Sequence, residues 1–225
     1  GNTISEWTSP WHGLEAVANP WNVCLGLCVV MLAITLGLLY TMRNVDAAPI
    51  RERARKGLMI AAPVFVVFFL LFVGYVLMKS GWAVQEDGSI VIEEYKYLHN
   101  FLQMPVVAAL FLVGVILVLS GVVVGLFMPS KPRNGFWFAA AGTVLTVTTL
   151  LLLAGWNGTC YYPSLTDTAS SLHIQNSCSS EFTLRTMFYV SLIIPFVLAY
   201  IAWAWRTMDK KPISSAELQQ TEDKY

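Results

Sequence analysis

Five stretches of this chain are too long and too apolar to sit comfortably in a water-soluble domain. They run roughly from Trp21 to Tyr40, Leu58 to Met78, Phe101 to Phe127, Phe136 to Trp156 and Leu184 to Trp205, and only the last contains a charge, Arg185. Each supplies the ~20 residues that an α-helix needs to cross a ~30 Å hydrocarbon core at 1.5 Å per residue. The runs lack the period-two alternation of a transmembrane barrel strand. The fold class expected is all-α: a polytopic transmembrane helix bundle with spans at about 20–41, 57–79, 100–127, 136–156 and 183–206, forming a single domain over residues 1–225.

Charge is scarce and segregated. Charged residues make up 12% of the sequence, against about a quarter in an ordinary soluble domain. The formal net charge is zero, which gives no electrostatic case for nucleic acid. The link at 42–57 carries Arg43, Arg51, Arg53, Arg55 and Lys56 against Asp46 and Glu52. The next, 80–99, carries Glu86, Asp87, Glu93 and Glu94 against Lys96. Lys131 and Arg133 follow without an acid, then Asp167 and Glu181 without a base, then Arg206, Lys210 and Lys211. Basic links stay cytoplasmic. Eleven of the fourteen Lys and Arg then fall on one side, Lys224 included, leaving Lys79, Lys96 and Arg185 on the other. The expected topology has the N-terminus outside and the C-terminus in the cytoplasm.

Several residues fit such a bundle. Trp21, Trp82, Trp137, Trp156, Trp203 and Trp205 lie near span ends, where amphipathic rings favour the headgroup layer. Pro63, Pro105 and Pro195 fall inside spans or at their edges, which neighbouring helices must cover. Gly114, Gly121 and Gly125 would let two helices approach closely. The chain opens without an initiator Met or a basic, apolar leader. An upstream membrane segment is the expected explanation, with signal cleavage as the alternative.

Ionisable groups at membrane depth mark function by default, and the spans offer almost none. Gln103 is the main strongly polar side chain, near an outer end, and Thr143, Thr146, Thr148 and Thr149 can bond their own helix carbonyls. The histidines, His12, His99 and His173, all lie in outer segments. None is placed mid-span as a haem ligand would be, and their spacing matches no metal motif. His99, ending Glu93-Glu94-Tyr95-Lys96-Tyr97-Leu98-His99, reads as an interfacial residue that bonds a partner or a lipid headgroup, or one that acts near a cofactor on the outer side. Tyr97, His99 and Gln103 are the interface candidates. Cys24 and Cys28 share a helix face as small apolar filling. Cys160 and Cys178 share the last outer link, where the compartment permits a disulfide. Asn157-Gly158-Thr159 fits a glycosylation sequon at the membrane edge. No catalytic, cofactor-binding or metal-ligating residue is assigned. The residues read as a subunit that scaffolds or binds.

Two runs, Tyr95-Lys96-Tyr97-Leu98-His99-Asn100 and Tyr161-Tyr162-Pro163-Ser164-Leu165, add a family signal. So do Ser171-Leu172-His173-Ile174-Gln175-Asn176 and Ser179-Ser180-Glu181-Phe182-Thr183-Leu184, leading to Pro195-Phe196 and Tyr200. With Gly1-Asn2 and Asn19-Pro20, they resemble subunit II of the cytochrome bd-type quinol oxidases, in order along essentially the whole chain. The resemblance implies the C-terminal part of a subunit of about eight spans in a bacterial cytoplasmic (inner) membrane. It implies a haem-bearing subunit I as partner, carrying haem b, haem d and the quinol-oxidising loop, and a complex that oxidises quinol and reduces dioxygen to water. This chain would bind no haem itself; bound quinone or lipid, and a small accessory subunit, are further partners to expect. The acidic residues that the family assigns to proton entry lie in helices this chain lacks. The cysteines depart from the family pattern. The alternatives are a small polytopic transporter or permease subunit, and a eukaryotic scaffold with a disulfide-tied outer loop.

Overall fold

The structure is a computed structural model that describes residues 10–128, 132–164, 167–208 and 213–214. Gly1-Asn2, Leu165, Lys131, Lys210, Lys211 and the tail containing Lys224 lie outside the described residues. Five helices are long and apolar enough to cross a membrane: Pro20–Asn44, Ala48–Met78, Pro105–Phe127, Asn134–Gly155 and Glu181–Met208. The chain is an all-α polytopic membrane protein.

Proline starts most of these helices, because its missing N–H falls where no intrahelical partner exists. Helix α1 (Pro20–Asn44) opens on Pro20, and the Asn19 side chain accepts from Trp21 N at 3.0 Å. A two-residue strand, β1 (Val45–Asp46), leads to α2 (Ala48–Met78), with Pro49 in its first turn. Helix α2 starts ten residues before the apolar run at Leu58, so Arg51, Arg53, Arg55 and Lys56 ride on its polar first turns. Ion pairs help to carry them there, Arg51 to Asp46 at 3.4 Å and Lys56 to Glu52 at 2.9 Å.

The link after α2 is not irregular. Strands β2 (Gly81–Val84) and β3 (Ile90–Glu93) form an antiparallel hairpin with Gly81 opposite Glu93 and Val84 opposite Ile90. Its turn uses Gly88 at φ 81°, and Asp87 accepts from both the N–H and the hydroxyl of Ser89. What reads as the start of the third span is a separate short helix, α3 (Lys96–Gln103), and Pro105 then opens α4 (Pro105–Phe127). Helix α5 (Pro132–Gly155) follows. The last span breaks at Leu192 and Ile193 into α6 (Glu181–Ser191) and α7 (Ile194–Met208). Pro195 explains the break, because it cannot donate to the carbonyl of Ser191.

Helices α1, α2, α4 and α5 form the bundle. The closest pair is α4 with α5, and small residues make it so. A Cβ on Gly142 would lie 2.6 Å from both the Gly114 carbonyl oxygen and the Val118 nitrogen, and one on Gly121 would lie 2.6 Å from the Ala139 nitrogen. The two backbones therefore touch directly. Leu39, Met42, Ala54, Leu58, Ala62, Val122 and Ala139 fill the core beside them. The hydroxyls of Thr143, Thr148 and Thr149 return to carbonyls of their own helix at 2.8–3.0 Å. Thr146 departs from that expectation: its buried hydroxyl makes no hydrogen bond and lies over the α carbon of Gly114.

None of the most apolar part of the last span is buried. Among the described residues it meets the bundle at one end, where Trp205 lies 6.4 Å from Tyr40 and β4 (Ile213–Ser214) runs parallel to β1.

Candidate functional site

The two acidic links meet at one end of the bundle. Val84 N donates to the Gly158 carbonyl at 2.7 Å and Cys160 N to the Trp82 carbonyl at 2.9 Å, so residues 158–160 lie along β2. Hairpin, short helix and last link make one polar cap.

The cap is organised by Asn100, which has no exposed surface. Helix α5 ends at Gly155, which leaves its last carbonyls without intrahelical donors. Trp156 N serves Leu152, and the Asn100 amide serves Leu153 at 2.9 Å. The same amide nitrogen donates to the Thr159 hydroxyl at 2.8 Å, and Asn100 Oδ1 accepts from Asn157 Nδ2 at 3.1 Å. Asn157 Nδ2 also donates to Gln103 Oε1. One asparagine thus joins α3 to the end of α5 and to the link beyond it. The sequon asparagine has its amide nitrogen committed to this network.

Beside it, Glu93 at the end of β3 bridges two bases on α3. One carboxylate oxygen accepts from His99 Nδ1 at 2.7 Å, and the other lies 3.2 Å from Lys96 Nζ. The chain makes this tight reversal through Tyr95, held at φ 54°. Lys96 is buried, and its stem fills the space left by Gly81, where a Cβ would come within 2.8 Å of Lys96 Cβ. The hydrogen bond from His99 holds the Glu93 carboxyl below its ordinary value of 4.5, against burial and with help from Lys96. Tyr97 packs half-buried beside Gly81, and burial pushes its phenol up.

The structure thus brings Tyr97, His99 and Gln103 into one cap on the short helix α3. His173 stands across the last link, in a turn closed by Asn176, and His12 lies apart in an exposed turn. Cys160 and Cys178 are free thiols, the first buried and the second exposed with its Sγ on the Ile174 carbonyl at 2.8 Å. The pairing that the compartment permits is not made here. Sequence reasoning passed over Asn100, Glu93 and Lys96 as a working group. The available signal was the Asp-Gly turn between Trp82-Ala83-Val84 and Ile90-Val91-Ile92, a hairpin pattern.

A second feature lies at membrane depth. A cleft of about 200 Å³ is lined from all four bundle helices, by Leu25 and Cys28, Phe65 and Phe69, Val118, and Thr146 among others. Its surface is almost wholly apolar, so it suits a hydrocarbon chain.

A family model described as cytochrome bd terminal oxidase subunit II matches residues 1–208. The chain belongs to that family. No curated protein matches it. Membership ties this subunit II chain to a haem-containing oxidase complex, so its own fit for haem can be tested. No histidine lines the apolar cleft, and Cys28 is its one thiol. Its volume falls below the ~300–1,000 Å³ of ordinary ligand pockets, small for a four-ring macrocycle. No group of three or more His, Cys, Asp or Glu able to hold a metal ion occurs among the described residues. Among the described residues, the lining of this cleft offers a haem iron no histidine ligand.

Proposed function

We propose that this chain works as a non-haem-ligating subunit of a quinol oxidase, packed against a haem-bearing subunit I in a bacterial inner membrane. Haem b and haem d belong to the partner, which oxidises quinol and passes electrons to dioxygen. The observation that carries this reading is the family match over residues 1–208. The separation of polar groups supports it: the histidines sit in the cap and in an exposed turn, while the spans carry hydrocarbon faces. Such faces suit contact with another membrane subunit or with lipid, and the apolar cleft suits an acyl or isoprenoid tail.

The orientation that follows puts the cap on the outer surface and the basic end in the cytoplasm, since basic links resist translocation. The chain acts as a single domain. Tyr97, His99 and Gln103 lie on the cap where subunit I could meet it. The test is to tag this C-terminus on the native gene product, solubilise gently, and record reduced-minus-oxidised visible spectra. Haem b and haem d bands that co-purify with a larger membrane subunit are expected. A folded, colourless preparation would overturn the reading.

A further inference from the structure

The apolar cleft at membrane depth has a floor and an open side. Buried Cys28, Phe65 and Val118 make the floor, while Leu25, Val29 and Leu70 at its edge are exposed, so the cleft opens toward the surrounding hydrocarbon. Its lining is almost wholly apolar even though two threonines belong to it. The Thr143 hydroxyl donates to the Ala139 carbonyl at 2.8 Å, and the Thr146 hydroxyl is buried against Gly114. A polar head finds no partner there. The cleft's 200 Å³ also falls below the ~300 Å³ at which pockets enclose whole ligands. Along α1 its wall runs from Leu25 to Leu32, roughly 10 Å at 1.5 Å per residue. That is room for part of one hydrocarbon chain.

The residues above the cleft identify the molecule to which that chain belongs. Trp21 continues the line of Leu25, Cys28 and Leu32 on α1, and Lys79 continues that of Phe65 and Phe72 on α2, both at helical spacing toward the cap. Trp21 stacks on Tyr75 with ring centroids 4.0 Å apart, and Lys79 Nζ lies 5.8 Å from the Tyr75 centroid. Two other cations toward the cap are neutralised, Lys96 by Glu93 at 3.2 Å and Arg185 by Glu181 at 2.7 Å. Exposed Lys79 has no carboxylate partner among the described residues. It stands seven residues past Phe72, again roughly 10 Å, which is headgroup level for a chain lying in the cleft.

We propose that the cleft and Lys79 together bind one anionic phospholipid, of the phosphatidylglycerol type, from the leaflet on the cap side. One acyl tail lies on Cys28 and Val118, the glycerol backbone passes the Trp21–Tyr75 pair, and the phosphate meets the Lys79 ammonium. A net anionic headgroup balances the unpaired cation. A zwitterionic headgroup brings a second ammonium, which competes with Lys79 for the same phosphate. The site rests on the fold and not on the oxidase reading.

The test places the intact native complex in nanodiscs containing phosphatidylglycerol with a diazirine midway along one acyl tail, and maps the label after illumination. Label is expected on Cys28 and Val118, floor positions that bulk lipid on the outer helix faces does not reach. Lys79→Gln, a change at an exposed side chain, should lower the floor label about fivefold, the worth of one cation at a membrane surface. Lys79→Arg, which keeps the charge, should retain it. A phosphatidylethanolamine probe with the same tails should label the floor no better than phosphatidylglycerol labels the Gln variant. Label on the exposed helix faces alone would overturn the inference. So would floor label that Lys79→Gln leaves intact or Lys79→Arg loses, or equal floor label from the two lipids. None of these outcomes bears on the haem spectra that test the oxidase reading.

Discussion

Asn100 carries more of this structure than its size suggests. It has no exposed surface, and it meets the Leu153 carbonyl, the Thr159 hydroxyl and Asn157. Asn100→Leu would strand these groups at about 1–3 kcal/mol for each buried group left unsatisfied. The expected result is faster amide exchange at residues 157–162 and a lower melting temperature of the complex. Unchanged exchange there would mean that the cap holds without it. Glu93 makes a pH-dependent contribution of definite sign. Its folded value is depressed, chiefly by His99. The stability it supplies is therefore present above the unfolded value near 4.5 and is lost as pH falls through the folded value. Glu93→Gln should flatten the acid limb of a thermal-stability profile and leave the neutral limb nearly parallel to wild type. These roles were only partly legible in the sequence. The run Tyr95 to Asn100 stood out as a family mark, but its internal bonds depend on where α5 ends, 53 residues from Asn100 at Leu153.

At the scale of elements, apolar length gives the spans and composition gives their class. The boundaries that differ have local causes. The apolar run from Phe101 does not show that Lys96–Gln103 is a separate helix, because hydropathy does not register the turn at Met104 and Pro105. The hairpin hides in a link whose charges draw attention first. Gly114 and Gly121, by contrast, were readable as close-approach residues, and their partners on α5 complete the contact. Gly142→Leu should force α4 and α5 apart, beyond the ~1–3 kcal/mol of ordinary overpacking, since the obstacle is backbone. Gly37→Leu is the control, because nothing lies within 4 Å of its Cβ position. Detergent-solubilised complex should lose yield and thermal stability with the first and keep both with the second. Equal behaviour would count against direct backbone contact.

For the whole molecule, the uncovered last span is the dominant fact. Among the described residues it is attached near Tyr40 and β1 and exposes Phe188, Phe196, Tyr200 and Trp203. A polypeptide with these faces open should self-associate when expressed alone in detergent; a sharp, monodisperse, haem-free species on size exclusion would contradict that. The same faces are available to a partner in the bilayer. On the function proposed above, haem is held by that partner and not by this chain. The most direct measurement is haem content per complex after His12→Gln, His99→Gln and His173→Gln are combined, which removes every histidine of the chain. Unchanged haem b and haem d bands per assembled complex are expected. Loss of a haem band from a complex that still assembles would contradict that function.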